Sequence, residues 1–469
     1  MAILRWEISL PERGCPGSCR KRAILAMIFM VNRIRVLSLC VFQGKSRCVY
    51  ERFQCGQRCR TAFTRAWKGA ASYNACMNAA RDPAGEPLGG YAGLLLALNS
   101  GLALTLVVVF LGILPLIGRI AGSRDFVVYW ATGQQLLHHA NPYDPAAMSR
   151  LEHEAGFTGT GAYYMRNPPW SLPLALPLGL VSARFGALPW SAMVLALLWL
   201  SVRLLWRSVG APGNRVHWFG YSFAPALLCV LMGQTSLFLL LGMALFLRLH
   251  KTNPFWAGAG LWFCSLKPHL LLPFGVALVL WIVYTRGWRI LLGAASALAA
   301  SALLTELVDP QAWSQYAAWA GHSGIGGEAI PCLSVALRNA IRPEAGWIAF
   351  IPSAVSCLLA AVYFWRQRQQ WDWMQQGGVL TVLSLVVAPY CWIYDQSLAL
   401  PALLWGASRT RKRWLLAWLA VASIVLEAQL FRSLPLTSPW YWWPAPLWLV
   451  WTLVEQRTRG EGRGTRDEG

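Results

Sequence analysis

The sequence predicts an all-α, polytopic transmembrane helical bundle of about 12 spans, and three observations carry that prediction. Hydrophobic residues fill 56% of the 469 positions and charged residues 13%, about half the charged share of an average soluble domain. The apolar residues arrive in blocks long enough to cross a hydrocarbon layer, which takes about 20 residues per helix, and a helix is how such a block satisfies its own backbone groups. Lys and Arg collect in short gaps between those blocks, where positive-inside topology puts them. The formal net charge of +21 is largely accounted for in this way, and no nucleic acid partner is called for.

Residues 1–90 differ from the rest. They hold seven of the twelve cysteines in an Arg-rich background, with Cys15/Cys19 and Cys55/Cys59 at C-x3-C spacing and no His. Zinc sites more often use C-x2-C pairs or Cys with His, so no metal is expected. The apolar run Ala23 to Phe42 contains Arg33 and Arg35, which are costly at mid-membrane, and no small-residue cleavage site follows it. The stretch reads as a disordered basic extension, or as translation from an upstream start with Met77 as the natural beginning. Residues 91–455 form the membrane domain and 456–469 a basic cytoplasmic tail.

The first convincing span runs from Gly93 to Ile117 without a charged residue, which places Ser123 to Asn167 outside. Pro168 to Val181 is short and rich in proline, and is taken as re-entrant or surface-lying; Phe185 to Trp206 crosses. Basic gaps at Arg203 to Arg215, Arg248/Lys251, Arg286/Arg289, Arg366/Arg368, Arg409 to Arg413 and Arg457 to Arg466 mark the inside turns. The turns between them carry Gly233-Gln234-Thr235, Lys267-Pro268-His269, the segment Glu306 to Gly346, Pro389 to Asp395, and Arg432 to Tyr441. Phe219 to Met232 and Thr235 to Leu249 are short for a bilayer, so they belong inside the bundle or beside a cavity. The 27 tryptophans cluster near span ends; Trp440, Trp442, Trp443, Trp448 and Trp451 are expected as interfacial anchors.

Candidate chemistry gathers in the outside segments. Arg124-Asp125-Phe126-Val127-Val128-Tyr129-Trp130 follows the first span, and Asn141-Pro142-Tyr143-Asp144-Pro145 and Tyr163 to Trp170 come after it. Asp125 is close to the membrane surface, where a carboxylate reaches both a lipid headgroup and a soluble molecule; the bland alternative is a cap for the helix starting near Phe126. Asp144 sits among turn residues and is expected to be structural. Gln234 places an amide between two apolar runs. Lys267 interrupts Gly258 to Trp281, at a cost of about 3 kcal/mol or more unless it snorkels or pairs; its functional reading is a cation for a phosphate. Asp395 interrupts a further apolar run. Trp313, Tyr316 and Trp319 form a helical stripe, expected on an amphipathic helix lying on the membrane. Together these groups supply a base, cations for a phosphate, and amides and aromatics for a sugar.

In this order the motifs resemble family 87 of the glycosyltransferases, membrane enzymes of C-type architecture that take a sugar from a polyprenyl phosphate. The matching elements are Asp125-Phe126 with Tyr129-Trp130 and Gly133, then Asn141-Pro142-Tyr143-Asp144, Pro168-Pro169, Gly233-Gln234, Lys267-Pro268, and Pro389 to Asp395, spread over Gly93 to Trp451. The resemblance implies a C-type bundle whose outer loops carry short amphipathic helices, in the plasma (inner) membrane, with its active site on the non-cytoplasmic side. It implies Asp125 as general base toward an acceptor hydroxyl while polyprenyl phosphate departs. That leaving group needs cationic stabilisation, for which Lys267 leads and Arg166, His269, His322 and Arg338 follow. Tyr129, Trp130, Asn141, Tyr143, Gln234, Tyr390 and Asp395 are the implied substrate contacts. A hexose, mannose first, is the implied cargo, passed to a lipid or glycan acceptor without cofactor or metal. Two departures stand out: the ninety-residue extension, and a single acid at Asp125 where many C-type enzymes carry a pair.

The rival function is a transporter or flippase of lipid-linked glycans. Transporters often repeat broken helices in matching positions of two halves, and the sequence shows no such symmetry. A non-catalytic scaffold ranks third, since Lys267 within apolar sequence argues against it.

Overall fold

The computed structural model describes residues 90–113, 124–159, 163–322, 330–432 and 435–464, all within the unit Arg81–Gly469. The expectations for the basic extension, and for residues 114–117 of the first span, lie outside the described residues. Among those described there is no strand. The helices are α1 Gly90–Ile113, α2 Phe126–Leu137, α3 Pro145–Glu154, α4 Ala183–Ser208, α5 Trp218–Tyr221, α6 Ala224–Met232, α7 Ser236–Leu249, α8 Pro254–Gly260, α9 Leu272–Thr285, α10 Trp288–Val308, α11 Ala312–His322, α12 Leu333–Ile341, α13 Ile351–Gln367, α14 Gln376–Val387, α15 Leu400–Arg409, α16 Arg413–Phe431 and α17 Pro444–Gly464. Short 3-10 turns join several of them, notably Pro169–Leu174, Leu176–Leu180, Pro268–Leu271 and Ile393–Ala399.

Among the described residues, five helical segments are long and apolar enough to cross a membrane: Ala183–Ser208, Pro268–Thr285, Trp288–Val308, Gly346–Gln370 and Arg413–Phe431. Their outward faces are apolar; on α10, Leu291, Leu292, Leu303, Leu304 and Leu307 are all exposed. A water-soluble helix would turn such residues inward, so the pattern marks a lipid-facing surface. The two short crossings expected between residues 219 and 249 are α6 and α7, and both are buried almost throughout by the helices around them. The expected crossing before Lys267 is broken into α8 and the turn Phe263–Leu266. Pro168 to Val181 forms two 3-10 turns rather than a span. It is held by α10, whose Ser301 and Thr305 hydroxyls donate to the carbonyls of Trp170 at 2.6 Å and Pro169 at 2.8 Å.

Local chemistry sets several helix ends. Asp144 caps α3 by accepting from the amides of Ala146 and Ala147, at 2.9 and 3.3 Å, with Pro145 at the first position. This is the structural role expected of it. Helix α6 ends on Gly233, whose φ of +72° is the left-handed conformation that glycine adopts without penalty.

Two expectations are corrected. Of the five late tryptophans, Trp440 and Trp442 are exposed as anchors should be, but Trp448 and Trp451 are fully buried. Their indoles donate inward, to Gln396 Oε1 at 3.1 Å and to the Leu415 carbonyl at 2.8 Å. The α11 stripe also turns toward protein: Tyr316 and Trp319 pack on Tyr143 at 5.2 and 6.3 Å, and Trp313 on Trp170 at 6.0 Å. Aromatic partners on the preceding loop were available to it, and they compete with lipid for the same face.

Helix α2 meets the turn Leu176–Leu180 through Gly133 and Gly179. A Cβ on Gly133 would lie 2.3 Å from the Ala175 carbonyl oxygen and 2.6 Å from the Gly179 amide nitrogen. Gly133→Ala is expected to destabilise the protein by about 1–3 kcal/mol, read as a lower melting temperature in detergent. Gly101→Ala, where nothing lies within 4 Å, should leave the melting temperature unchanged or higher.

Candidate active site

Four interruptions of apolar sequence, distant along the chain, meet in one hydrogen-bonded cluster. Asp125 immediately precedes α2, but its side chain makes no cap bond. Instead Oδ2 accepts from Gln234 Nε2 at 2.6 Å. Gln234 follows the tight turn between α6 and α7. Its Oε1 accepts from the Tyr129 hydroxyl at 3.0 Å and from Lys267 Nζ at 3.2 Å, while Nε2 also reaches the Tyr394 hydroxyl at 3.3 Å. Lys267 Nζ bonds Asp395 Oδ1 at 2.8 Å and Ser236 Oγ at 3.2 Å. Asp395 takes Ser236 Oγ at 2.5 Å on one oxygen and the Trp392 amide at 3.0 Å on the other. Lys267 also lies over the Tyr394 ring, 5.0 Å from its centroid.

Lys267 therefore neither snorkels nor waits free. It pairs with a carboxylate of which 1% is exposed, and its three ammonium protons face Asp395, Gln234 and Ser236. A phosphate bound at Lys267 would have to displace or share one of those contacts. Burial alone would pull the Lys267 ammonium down; the Asp395 charge and hydrogen bond outweigh it and hold it above its ordinary value. Asp125 is pushed above the usual carboxylate range, first by burial and further by Asp395, against the opposing pull of Gln234, Lys267 and Arg124. Burial raises the Tyr129 phenol to about 12, so it remains a donor at neutral pH.

The remaining candidates are placed around this cluster. His269 stacks on Tyr390 with ring centroids 3.9 Å apart, and its Nε2 is buried with no hydrogen-bond partner among the described residues. Arg166 is close enough that its charge, with that of Lys267, opposes the burial that raises the Tyr390 phenol. Asn141 closes a turn through the Tyr143 amide at 2.9 Å. Tyr143 donates to the Asn167 carbonyl at 3.1 Å, and Asn167 Nδ2 donates to the Leu266 carbonyl at 3.3 Å, so both reach the Lys267 turn only indirectly. Trp130 points elsewhere, to the Val181 carbonyl at 2.9 Å. Arg338 is buried on α12 with its guanidinium on Asn339 Oδ1. His322 ends α11, and its side chain lies outside what is described.

Three residues without an assigned role position the cluster. Arg124 donates to the carbonyls of Leu231 at 2.6 Å and Val230 at 3.0 Å, the last turn of α6, and to Ser191 Oγ at 3.1 Å. A cation at a helix C-terminus is favourable, and here it pins Asp125 beside Gln234. Trp190 donates to the Gly233 carbonyl at 2.7 Å and packs on Tyr129 at 5.2 Å. Ser236 bridges Lys267 and Asp395. Among the described residues no group of three or more His, Cys, Asp or Glu could hold a metal ion.

A helical membrane bundle that brings acids, a lysine and amides to one buried point has the build of a membrane-embedded enzyme or carrier. Comparison with family models favours the enzyme: residues 164–389, just under half of the chain, match Glycosyltransferase family 87. That match supports a glycosyltransferase over the transporter reading. The matched span contains Arg166, Gln234, Lys267, His269 and Arg338, begins after Asp125 and ends before Asp395. Comparison with curated proteins and with solved structures returns no match.

Removing one member of a buried ion pair leaves the other uncompensated, which costs about 3–5 kcal/mol. Lys267→Met should lower stability by that order, and adding Asp395→Asn should recover most of the loss. Thermal unfolding in detergent checks this; single and double variants that melt alike would contradict the pairing.

Proposed function

We propose that this glycosyltransferase moves a hexose, mannose in the first instance, from a polyprenyl-phosphate donor to a hydroxyl of a lipid or glycan acceptor at the non-cytoplasmic face of the plasma membrane, with Asp125 as general base. The observation that supports this most is the direction of the Asp125 side chain. It forgoes the helix cap, gives one oxygen to Gln234, and among the described residues keeps Oδ1 without a partner. A carboxylate held by one oxygen and open at the other is suited to taking a proton from a hydroxyl.

In the proposed reaction the acceptor O–H gives its proton to Asp125 Oδ1 as its oxygen bonds to the anomeric carbon of the donor. The bond from that carbon to the phosphate oxygen breaks, its electron pair stays on the phosphate, and polyprenyl phosphate leaves. One displacement inverts the anomeric configuration. Negative charge grows on the leaving phosphate, and preorganised cations stabilise it where it develops. Lys267, Arg166 and His269 are the groups gathered near Asp125 for that task, with Arg338 and His322 as outer candidates. His269 Nε2, buried and without a partner among the described residues, is available to a phosphate oxygen without breaking a contact made there. Gln234, already engaged on both amide atoms, orients the base rather than the sugar.

Asp125→Asn keeps the shape of the residue and a hydrogen-bonding side chain but removes the base, whose contribution is typically about 100-fold or more. Transfer of labelled mannose from polyprenyl-phosphate mannose in membranes holding equal amounts of protein should fall by at least that order. Undiminished transfer would refute the assignment.

A further inference from the structure

Glu152 stands outside every role given so far. It lies near the end of α3, fully buried, and its Oε2 accepts from the Tyr163 amide at 2.9 Å. Its Oε1 is also buried and, among the described residues, has no hydrogen-bond partner. Natural proteins rarely leave such an atom unpaired, because its lost hydration is not replaced. Helix α3 packs on α2, the helix that Asp125 begins, and the Asp125 charge bears on both Glu152 and Tyr163. Among the described residues, two more buried polar atoms on α2 lack partners, Thr132 Oγ1 and Gln135 Nε2. Asp125, Tyr129 and Thr132 follow one another at helical spacings of four and three, which puts them on one face.

We propose that Glu152 is a second carboxyl of the active site and binds a hydroxyl of the acceptor sugar through Oε1, orienting the neighbouring hydroxyl toward Asp125. The inference rests on the reading of Asp125 as base for transfer to a hydroxyl. A sugar hydroxyl suits Glu152 Oε1 because it both donates and accepts, so it can meet the carboxyl in either protonation state. A phosphate does not fit, since two carboxyls repel it. Burial raises the Glu152 carboxyl to about 7, against the pull of the Tyr163 amide, so either of its protonation states is within reach and each can hold a hydroxyl. The departure noted in the sequence, one acid where a pair is common, is thereby met by an acid 27 positions further along the chain.

The test uses the full-length protein in detergent, polyprenyl-phosphate mannose as donor, and n-octyl glycosides of mannose, glucose and galactose as acceptors. The glycoside that the unaltered protein uses best is then offered in each monodeoxy form. Glu152→Ala should raise the acceptor KM about tenfold and leave the donor KM unchanged. Glu152→Gln, which keeps the Tyr163 contact and guards against misfolding, should raise it less. For one monodeoxy acceptor both effects should vanish, because the hydroxyl that Glu152 holds is already missing. Effects of equal size on every acceptor, or an unchanged acceptor KM in both variants, would overturn the proposal and leave Glu152 a structural or water-bound acid. No transfer by the unaltered protein to any of the three glycosides would instead count against the underlying reading of the reaction.

Discussion

The ammonium of Lys267, set among apolar helices, constrains everything around it. A charge there must be matched, and the match comes from Asp395, 128 residues away along the chain. Asp395 in turn needs its second oxygen and its flank satisfied, which the Trp392 amide and Ser236 provide. Gln234 completes the lysine's shell with one amide atom and holds Asp125 with the other. Three connections and the start of α2 are thus tied at one point by electrostatic need. Arg124 secures the arrangement from behind by gripping the end of α6.

The polar segment 163–170 is held from two sides. Asn167 and Trp170 donate to the carbonyls of Leu266 and Ser265, just before Lys267, and α10 holds the same segment through Ser301 and Thr305. The loop that carries the candidate base and the turn that carries the lysine therefore move as neighbours. For a transferase this matters, because base and leaving group must flank the same anomeric carbon. The match of residues 164–389 to glycosyltransferase family 87 points to the chemistry, and the cluster offers it a place.

Much of the site was legible because membrane sequence is so uniform. Asp125, Gln234, Lys267 and Asp395 each break an apolar run, and a polar residue in such a run needs a reason. Their meeting could also be anticipated from the regular spacing of basic gaps. What escaped notice lacked that contrast. Arg124 looks like a flanking charge, Ser236 is small enough to pass in any helix, and Trp190 looks like one more anchor among 27 tryptophans. Glu152 lies in a polar stretch where an acid is unremarked, and only its burial with one empty oxygen sets it apart. Helix count was harder to read than helix content: proline and glycine split the apolar blocks into short buried pieces such as α6, α7 and α8, whose lengths follow their packing and not the bilayer.

The central claim is that Gln234 tunes Asp125 as the base, and the acid side of the pH–rate profile tests it most directly. Asp125 must be ionised to act. Its pKa stands above the ordinary carboxylate value, and the Gln234 hydrogen bond is the largest of the influences pulling it back down. Transfer therefore falls as pH drops through that raised pKa, and removing the Gln234 amide raises the pKa further. In Gln234→Met the acidic limb of kcat/KM should move to higher pH, so that full activity is reached only in more alkaline medium. A limb that stays in place while the plateau falls, or that moves to lower pH, would contradict the account.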